Sequence, residues 1–106
     1  MTLDRMFHAL SDATRRAMIE RLVRSPASVS DLARPFDMTL PGVVQHLAVL
    51  EAAGIVTSQK IGRVRTVQLV PEALTAAGSW IGEQRLPAER QLDRLGTYLT
   101  TAPEEK

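Results

Sequence analysis

The spacing of apolar residues changes period twice along the chain, and each change marks a boundary between kinds of structure. Leu3, Met6, Phe7 and Leu10 recur at i, i+3, i+4 and i+7, the pattern of one helical face. Ser11 and Asp12 follow, and either side-chain oxygen can cap a second helix running to about Arg24. Its apolar stripe is Met18, Ile19, Leu22 and Val23, with Arg15, Arg16, Glu20, Arg21 and Arg24 mostly off it. Ser25-Pro26-Ala27 ends that helix, and Ser30 caps a short third one that ends near Phe36. Thr39 caps a fourth helix, with Pro41 in its first turn, where the missing N–H costs nothing. Gly54 suits the left-handed position just beyond its end.

The period then drops to two. Val56–Ile61 and Val64–Val70 read as strands around Gly62-Arg63, hence a hairpin, with Val67 and Leu69 on its half-buried face. From Pro71 the helical period returns: Leu74, Ala77, Ile81, Ala88, Leu92, Leu95 and Leu99 fall near one stripe. An interior proline costs a helix about 3 kcal/mol or more, so Pro87 predicts a kink or break close to Leu86. The expected architecture is mostly α with a β-hairpin, in the order four helices, hairpin, helix. Residues 1–100 are expected to form one domain and 101–106 a frayed tail.

Composition narrows the possibilities. A chain of 106 residues, 44% hydrophobic and 24% charged, has the balance of one folded domain and is too short for a two-domain enzyme with a cleft. Four aromatic residues (Phe7, Phe36, Trp80 and Tyr98) leave the core aliphatic. The absence of cysteine removes disulfides, thiolate metal sites and thiol catalysis. No apolar run approaches the roughly 18 residues of a membrane span, and there is no secretory segment, so a soluble, cytoplasmic protein is expected. The net charge of +1 conceals a gradient: residues 1–70 carry nine Lys/Arg against six Asp/Glu, and residues 71–106 four against six. That bias permits a nucleic-acid partner without demanding one.

Two short helices joined by a tight turn and followed by a hairpin are the parts of a winged helix-turn-helix. A helix fits the major groove of duplex DNA, where each base pair shows a distinct donor and acceptor pattern. On the fourth helix Val43, Leu47 and Leu50 should face inward. Pro41, Gln45, Ala48 and Ala52 then point away, with Gly42 and Val49 on the flank. Gln45 can pair bidentately with an adenine edge or stand as a solvated amide. Thr39 can reach a phosphate together with free backbone N–H groups. His46, about 60° from the stripe by helical geometry, can cover the edge of the core or touch DNA. Arg63 and Arg65 share parity and lie near Lys60, so they suit phosphates or, alternatively, guard a sheet edge. Arg15 and Arg16 can be structural or phosphate-facing.

These segments resemble a known family. Asp12-Ala-Thr-Arg-Arg, Ser30-Asp-Leu-Ala and the run from Leu40 to Val56 around Gln45-His46-Leu47 are similar to the arsenic-repressor (ArsR/SmtB-type) family of bacterial transcription regulators. Gly62-Arg-Val-Arg, and Trp80 followed by Leu92–Leu95, match that family's wing and last helix, so the likeness runs from Leu3 to Leu99. The resemblance implies a homodimer built from the first and last helices, through Leu3, Met6, Phe7, Leu10, Ile81, Leu92, Leu95 and Leu99. It implies double-stranded DNA as the partner, a near-palindromic operator and a repressor. It assigns Thr39, Pro41, Gly42, Gln45 and His46 to the recognition helix and Lys60, Arg63 and Arg65 to the wing, and it turns His46 toward a DNA or backbone contact.

Two departures matter. Val44 stands where many relatives carry serine, which removes a hydroxyl from the reading face. The third helix has no sulfur and the last helices no histidine, whereas a transition-metal site needs soft or imidazole ligands at matched spacing. No metal, cofactor or membrane partner is therefore expected, His8 reads as a surface residue, and no effector is named by the sequence. Nor is an enzyme expected, because no nucleophile, base and orienting group converge. The competing reading is a winged helix used for protein interaction without DNA.

Overall fold

The computed structural model describes the backbone of residues 2–101, and the side chains of these except at positions 90, 93 and 97–101. The elements run α1 (Leu3–Leu10), α2 (Ala13–Arg24), β1 (Ala27–Ser28), α3 (Val29–Ala33), α4 (Leu40–Ala52), β2 (Val56–Ile61), β3 (Val64–Leu69), α5 (Pro71–Glu83) and α6 (Pro87–Thr101). The expected class holds: a mostly helical winged helix-turn-helix with a hairpin.

Local chemistry accounts for most boundaries. Thr2, Asp12 and Thr39 sit in extended backbone and each accepts a backbone N–H of the helix it precedes. Gly54, at φ +76°, takes the left-handed conformation that lets the chain leave α4 and enter β2, and Gly62, at φ +64°, does the same at the hairpin tip. Pro87 is accommodated by a complete break: α5 stops at Glu83, and Pro87 becomes the first residue of α6, where it needs no N–H partner.

Two expectations are corrected. The third helix starts earlier and is shorter than Ser30 to Phe36, because Ser28, not Ser30, caps it by accepting the Asp31 N–H, and it ends at Ala33. The hairpin is also not alone. Ala27 and Ser28 pair antiparallel with Val67 and Thr66, making a three-stranded sheet in the order β1-β3-β2. Within the hairpin Val56 faces Leu69 and Lys60 faces Arg65, so the face that is apolar at its base becomes cationic toward its tip.

The core gathers Met6, Met18, Leu32, Val43, Leu50, Ile55 and Val67, all essentially inaccessible, where α1, α2, α3 and α4 meet the base of the sheet. Among the described residues none beyond Ala77 is buried.

Candidate nucleic-acid interface

Helix α4 is held with one face inward and the opposite face open. Val43, Leu47 and Leu50 are at most 5% exposed, while Pro41, Gln45 and Ala48 are exposed and Gly42 is half-buried. Thr39 is exposed, with its hydroxyl occupied as the cap acceptor of the Gly42 N–H at 3.2 Å. A groove of about 410 Å³ separates α4 from the hairpin; Leu40 and Val44 line one side, and Lys60, Arg63, Val64 and Arg65 the other.

Each flank of α4 is braced by a polar network. On the hairpin side, Ser58 Oγ donates to Glu51 Oε2 at 2.8 Å, Arg65 Nε donates to Ser58 Oγ at 3.0 Å, and Arg65 Nη2 reaches Glu51 Oε1 at 3.2 Å. The ring of bonds ties the end of α4 to both hairpin strands. It also changes the standing of Arg65: its charge is matched by Glu51, so Arg65 is not the equal of Arg63. Lys60 and Arg63 are exposed and form no ion pair among the described residues.

On the opposite flank stands Arg15, which lies off the apolar stripe of α2 and is nonetheless only 8% exposed. Its Nε donates to the Ala9 carbonyl at 2.8 Å and its Nη2 to the His8 carbonyl at 3.0 Å. Arg16 donates to the Leu10 carbonyl at 2.8 Å. The adjacent arginines thus gather on the carbonyls of the last turn of α1, at the negative end of its dipole, where the His8 carbonyl also accepts the Ser11 N–H and hydroxyl. Arg15 Nη1 lies 3.2 Å from Nδ1 of His46, which is half-buried on α4. Asp12 completes the junction. The Arg15 backbone N–H on its carboxylate, aided by the charge of the Arg15 side chain, holds its carboxyl below the usual range against a smaller opposing effect of burial.

The residues expected to face a partner copy divide. Met6 is 1% exposed inside its own protomer's core, because its side of α1 packs on α2 and α4; it has nothing left to present. Leu10 is half-buried against the same core. Phe7 meets Trp80 edge to face at 5.6 Å, joining α1 to α5. Leu3, Ile81, Leu92 and Leu95 are exposed, and the Leu99 side chain lies outside the described residues. His8 is exposed, and no group of three or more metal-ligating side chains occurs among the described residues. No described helix is long and apolar enough to cross a membrane.

Sequence reasoning left Arg15 open between a structural and a phosphate-facing role, and it overlooked Glu51 and Ser58 as parts of this interface. Glu51 carried a readable signal, since it lies on the hairpin-facing flank of α4, one turn pair beyond Val44. Ser58 carried none.

Residues 10–59 match the helix-turn-helix domain family. The chain is 45% identical over 73 residues to the HTH-type transcriptional regulator Rv2034 of Mycobacterium tuberculosis, covering 69% of this chain and 68% of that one. It superposes on the crystal structure of an ArsR family transcriptional regulator, RHA00566, with a TM-score of 0.74 and 49% identity, over 77% of this chain and 84% of the other. The homodimeric winged helix-turn-helix DNA-binding domain Mb0332 of Mycobacterium bovis shares the fold, at a TM-score of 0.65 and 19% identity over 77% of this chain and 79% of its own. The chain belongs to the ArsR family of transcriptional regulators, which are DNA-binding proteins and not enzymes.

Proposed function

We propose that this protein is a homodimer that represses transcription by occupying a near-palindromic operator, with α4 in the major groove and the hairpin over the flanking backbone. The observation that carries the reading is the open face of α4. Gln45 stands there among small neighbours, Pro41 and Ala48, which permit close approach, beside a groove whose far wall carries Lys60 and Arg63, which have no carboxylate partner among the described residues. Gln45 supplies the adenine-reading amide, and Val44, 40% exposed, an apolar surface suited to a thymine methyl. Thr39 and the first turn of α4 face a phosphate. The partner copy covers Leu3, Phe7, Ile81, Leu92, Leu95 and Leu99, and its twofold axis sets the two α4 helices about 34 Å apart, in successive major grooves. The homodimeric relative from M. bovis supports that assembly.

The test is a binding series on genomic fragments recovered with the purified protein. Arg63→Ala should weaken binding on all sequences and flatten the dependence of log K on log salt by up to about one unit. Arg65→Ala should weaken it with a smaller change of slope, because Glu51 already neutralises that charge. Gln45→Ala should cost about 1–3 kcal/mol on the operator and little on random DNA. Failure to recover any fragment would leave the protein-interaction reading in its place.

A further inference from the structure

We propose that Arg15 is a positioning residue that fixes His46 as a neutral Nε2–H donor, and that this donor is used on a DNA phosphate; the second half rests on the DNA-binding reading above. A guanidinium has only donors, so the 3.2 Å approach of Arg15 Nη1 to His46 Nδ1 requires a lone pair on that nitrogen. The proton of the neutral ring therefore sits on Nε2. Asp12 Oδ2 does not compete, since at 3.9 Å it is beyond hydrogen-bond reach of the same Nδ1. Arg15 is itself immobilised by the carbonyls of His8 and Ala9, so the ring leans on a fixed support.

The other nitrogen is free. Among the described residues His46 makes no further hydrogen bond, and no buried side-chain nitrogen or oxygen there lacks a partner. Nε2 therefore opens to solvent although the side chain is only 21% exposed. A sheltered ring that shows one donor edge is preorganised, and little freedom is lost when the donor is used. His46 stands 100° around α4 from Gln45, on the flank of the reading face. The flanks of a helix lying in the major groove meet the sugar–phosphate walls, and an N–H there pairs with a phosphate oxygen. Because the ring is neutral, the contact displaces no counterion. It should strengthen binding on every sequence and leave the salt dependence alone, unlike Arg63.

Two amides separate the two nitrogens chemically. In His46→Asn the amide oxygen replaces Nδ1 and still accepts from Arg15, but the short side chain places no donor where Nε2 stood. In His46→Gln the amide reaches the place of Nε2 but abandons Arg15. The expected result for His46→Asn is affinity about fivefold lower on operator and random DNA alike, the size of one hydrogen bond, with an unchanged salt slope and near-native thermal stability. His46→Gln should bind within about twofold of wild type and melt earlier, the reverse split. Nitrogen-15 NMR of the free wild-type protein at pH 7.5 should show Nδ1 unprotonated and Nε2 protonated, a signature that a merely structural histidine need not give. Arg15→Met should lose that fixed tautomer; should it fail to fold, the wild-type spectrum and the two His46 variants decide alone. A protonated Nδ1 overturns the first half. His46→Asn binding like wild type, losing affinity on the operator only, or flattening the salt slope overturns the second. If wild type binds no DNA, the second half falls with the proposed function, and the spectrum still judges the first.

Discussion

Helices α4 and α6 carry the same kind of apolar stripe and meet opposite fates. On α4, Val43, Leu47 and Leu50 are sealed against α1, α2 and the sheet; on α6, Leu92 and Leu95 are 66% and 53% exposed. Both helices are of ordinary length, so the difference lies in what faces them. The head of the molecule, up to Ala77, closes on itself, whereas in the arm beyond it Ile81, Leu86, Leu92 and Leu95 are each more than half exposed among the described residues. A 15-residue helix is marginal in water unless its apolar face is packed. Periodicity therefore tells which face is apolar and leaves open which chain covers it, and a second copy is the cover proposed above.

The comparison breaks most directly at the arm. Replacing Leu92 and Leu95 together by glutamate should yield a monomer by light scattering. Operator affinity should fall by about 10²–10⁴-fold, the range lost when two linked binding events become independent. Near-native stability of the head should survive. A variant that stays dimeric would show that the stripe is not the interface.

The converse change tests the head. Leu50→Ala removes a fully buried side chain and should cost about 2–5 kcal/mol in urea unfolding, at any protein concentration. Leu92→Ala, measured where the protein is monomeric, should stay within about 0.5 kcal/mol, as for other exposed positions. Equal costs would mean that the arm folds back on the head.

The same contrast explains what could be read in the sequence. The helices, the hairpin and the Pro87 break were legible because caps, glycines, prolines and period are local signals: Asp12, Thr39, Gly54 and Gly62 each act within a few residues. Strand β1 was not, since Ala27 and Ser28 have no strand preference and take the conformation from Val67 and Thr66, some 40 positions on. The mistaken cap at Ser30 follows from that, because Ser28 ends the strand and starts the helix at once. Met6 was assigned to a partner because a stripe does not say how deep each of its members lies. In the candidate interface, Gln45 and Arg63 could be chosen by residue type and face. Arg15 meets His46 across 31 positions, and Ser58 joins Glu51 and Arg65 only once the hairpin closes beside α4; residue type does not announce either contact, although the face of Glu51 does point to the hairpin.

The joint between head and arm gives a smaller effect and a convenient signal. Trp80 is the one tryptophan, 43% exposed in the protomer, with Phe7 against it edge to face. Its emission should shift to shorter wavelength as concentration rises and the partner shields it. Phe7→Ala should lower stability by at least the roughly 0.5–1.5 kcal/mol of an aromatic pair and leave Trp80 emission nearer to that of the exposed indole. Emission independent of concentration over the range where light scattering sees dimerisation would place Trp80 away from the interface.

The smallest effect is set by pH and belongs to the head alone. Asp12 has its carboxyl held below the ordinary value, chiefly by the Arg15 backbone N–H. A group whose native value is depressed stabilises the fold above its unfolded value and loses that contribution as pH falls through the native one. Asparagine also caps a helix well, so Asp12→Asn removes the charge and keeps the cap. Wild type should then unfold at higher urea than Asp12→Asn at pH 6, and the two midpoints should converge as the pH drops below the ordinary aspartate value near 3.8. Because Asp12, Arg15 and His46 all lie in the head, the gap at pH 6 should be the same in the Leu92→Glu, Leu95→Glu background as in the wild-type one. A gap that disappears with the arm's leucines would mean that dimerisation, and not the folding of one chain, organises the junction of α1, α2 and α4.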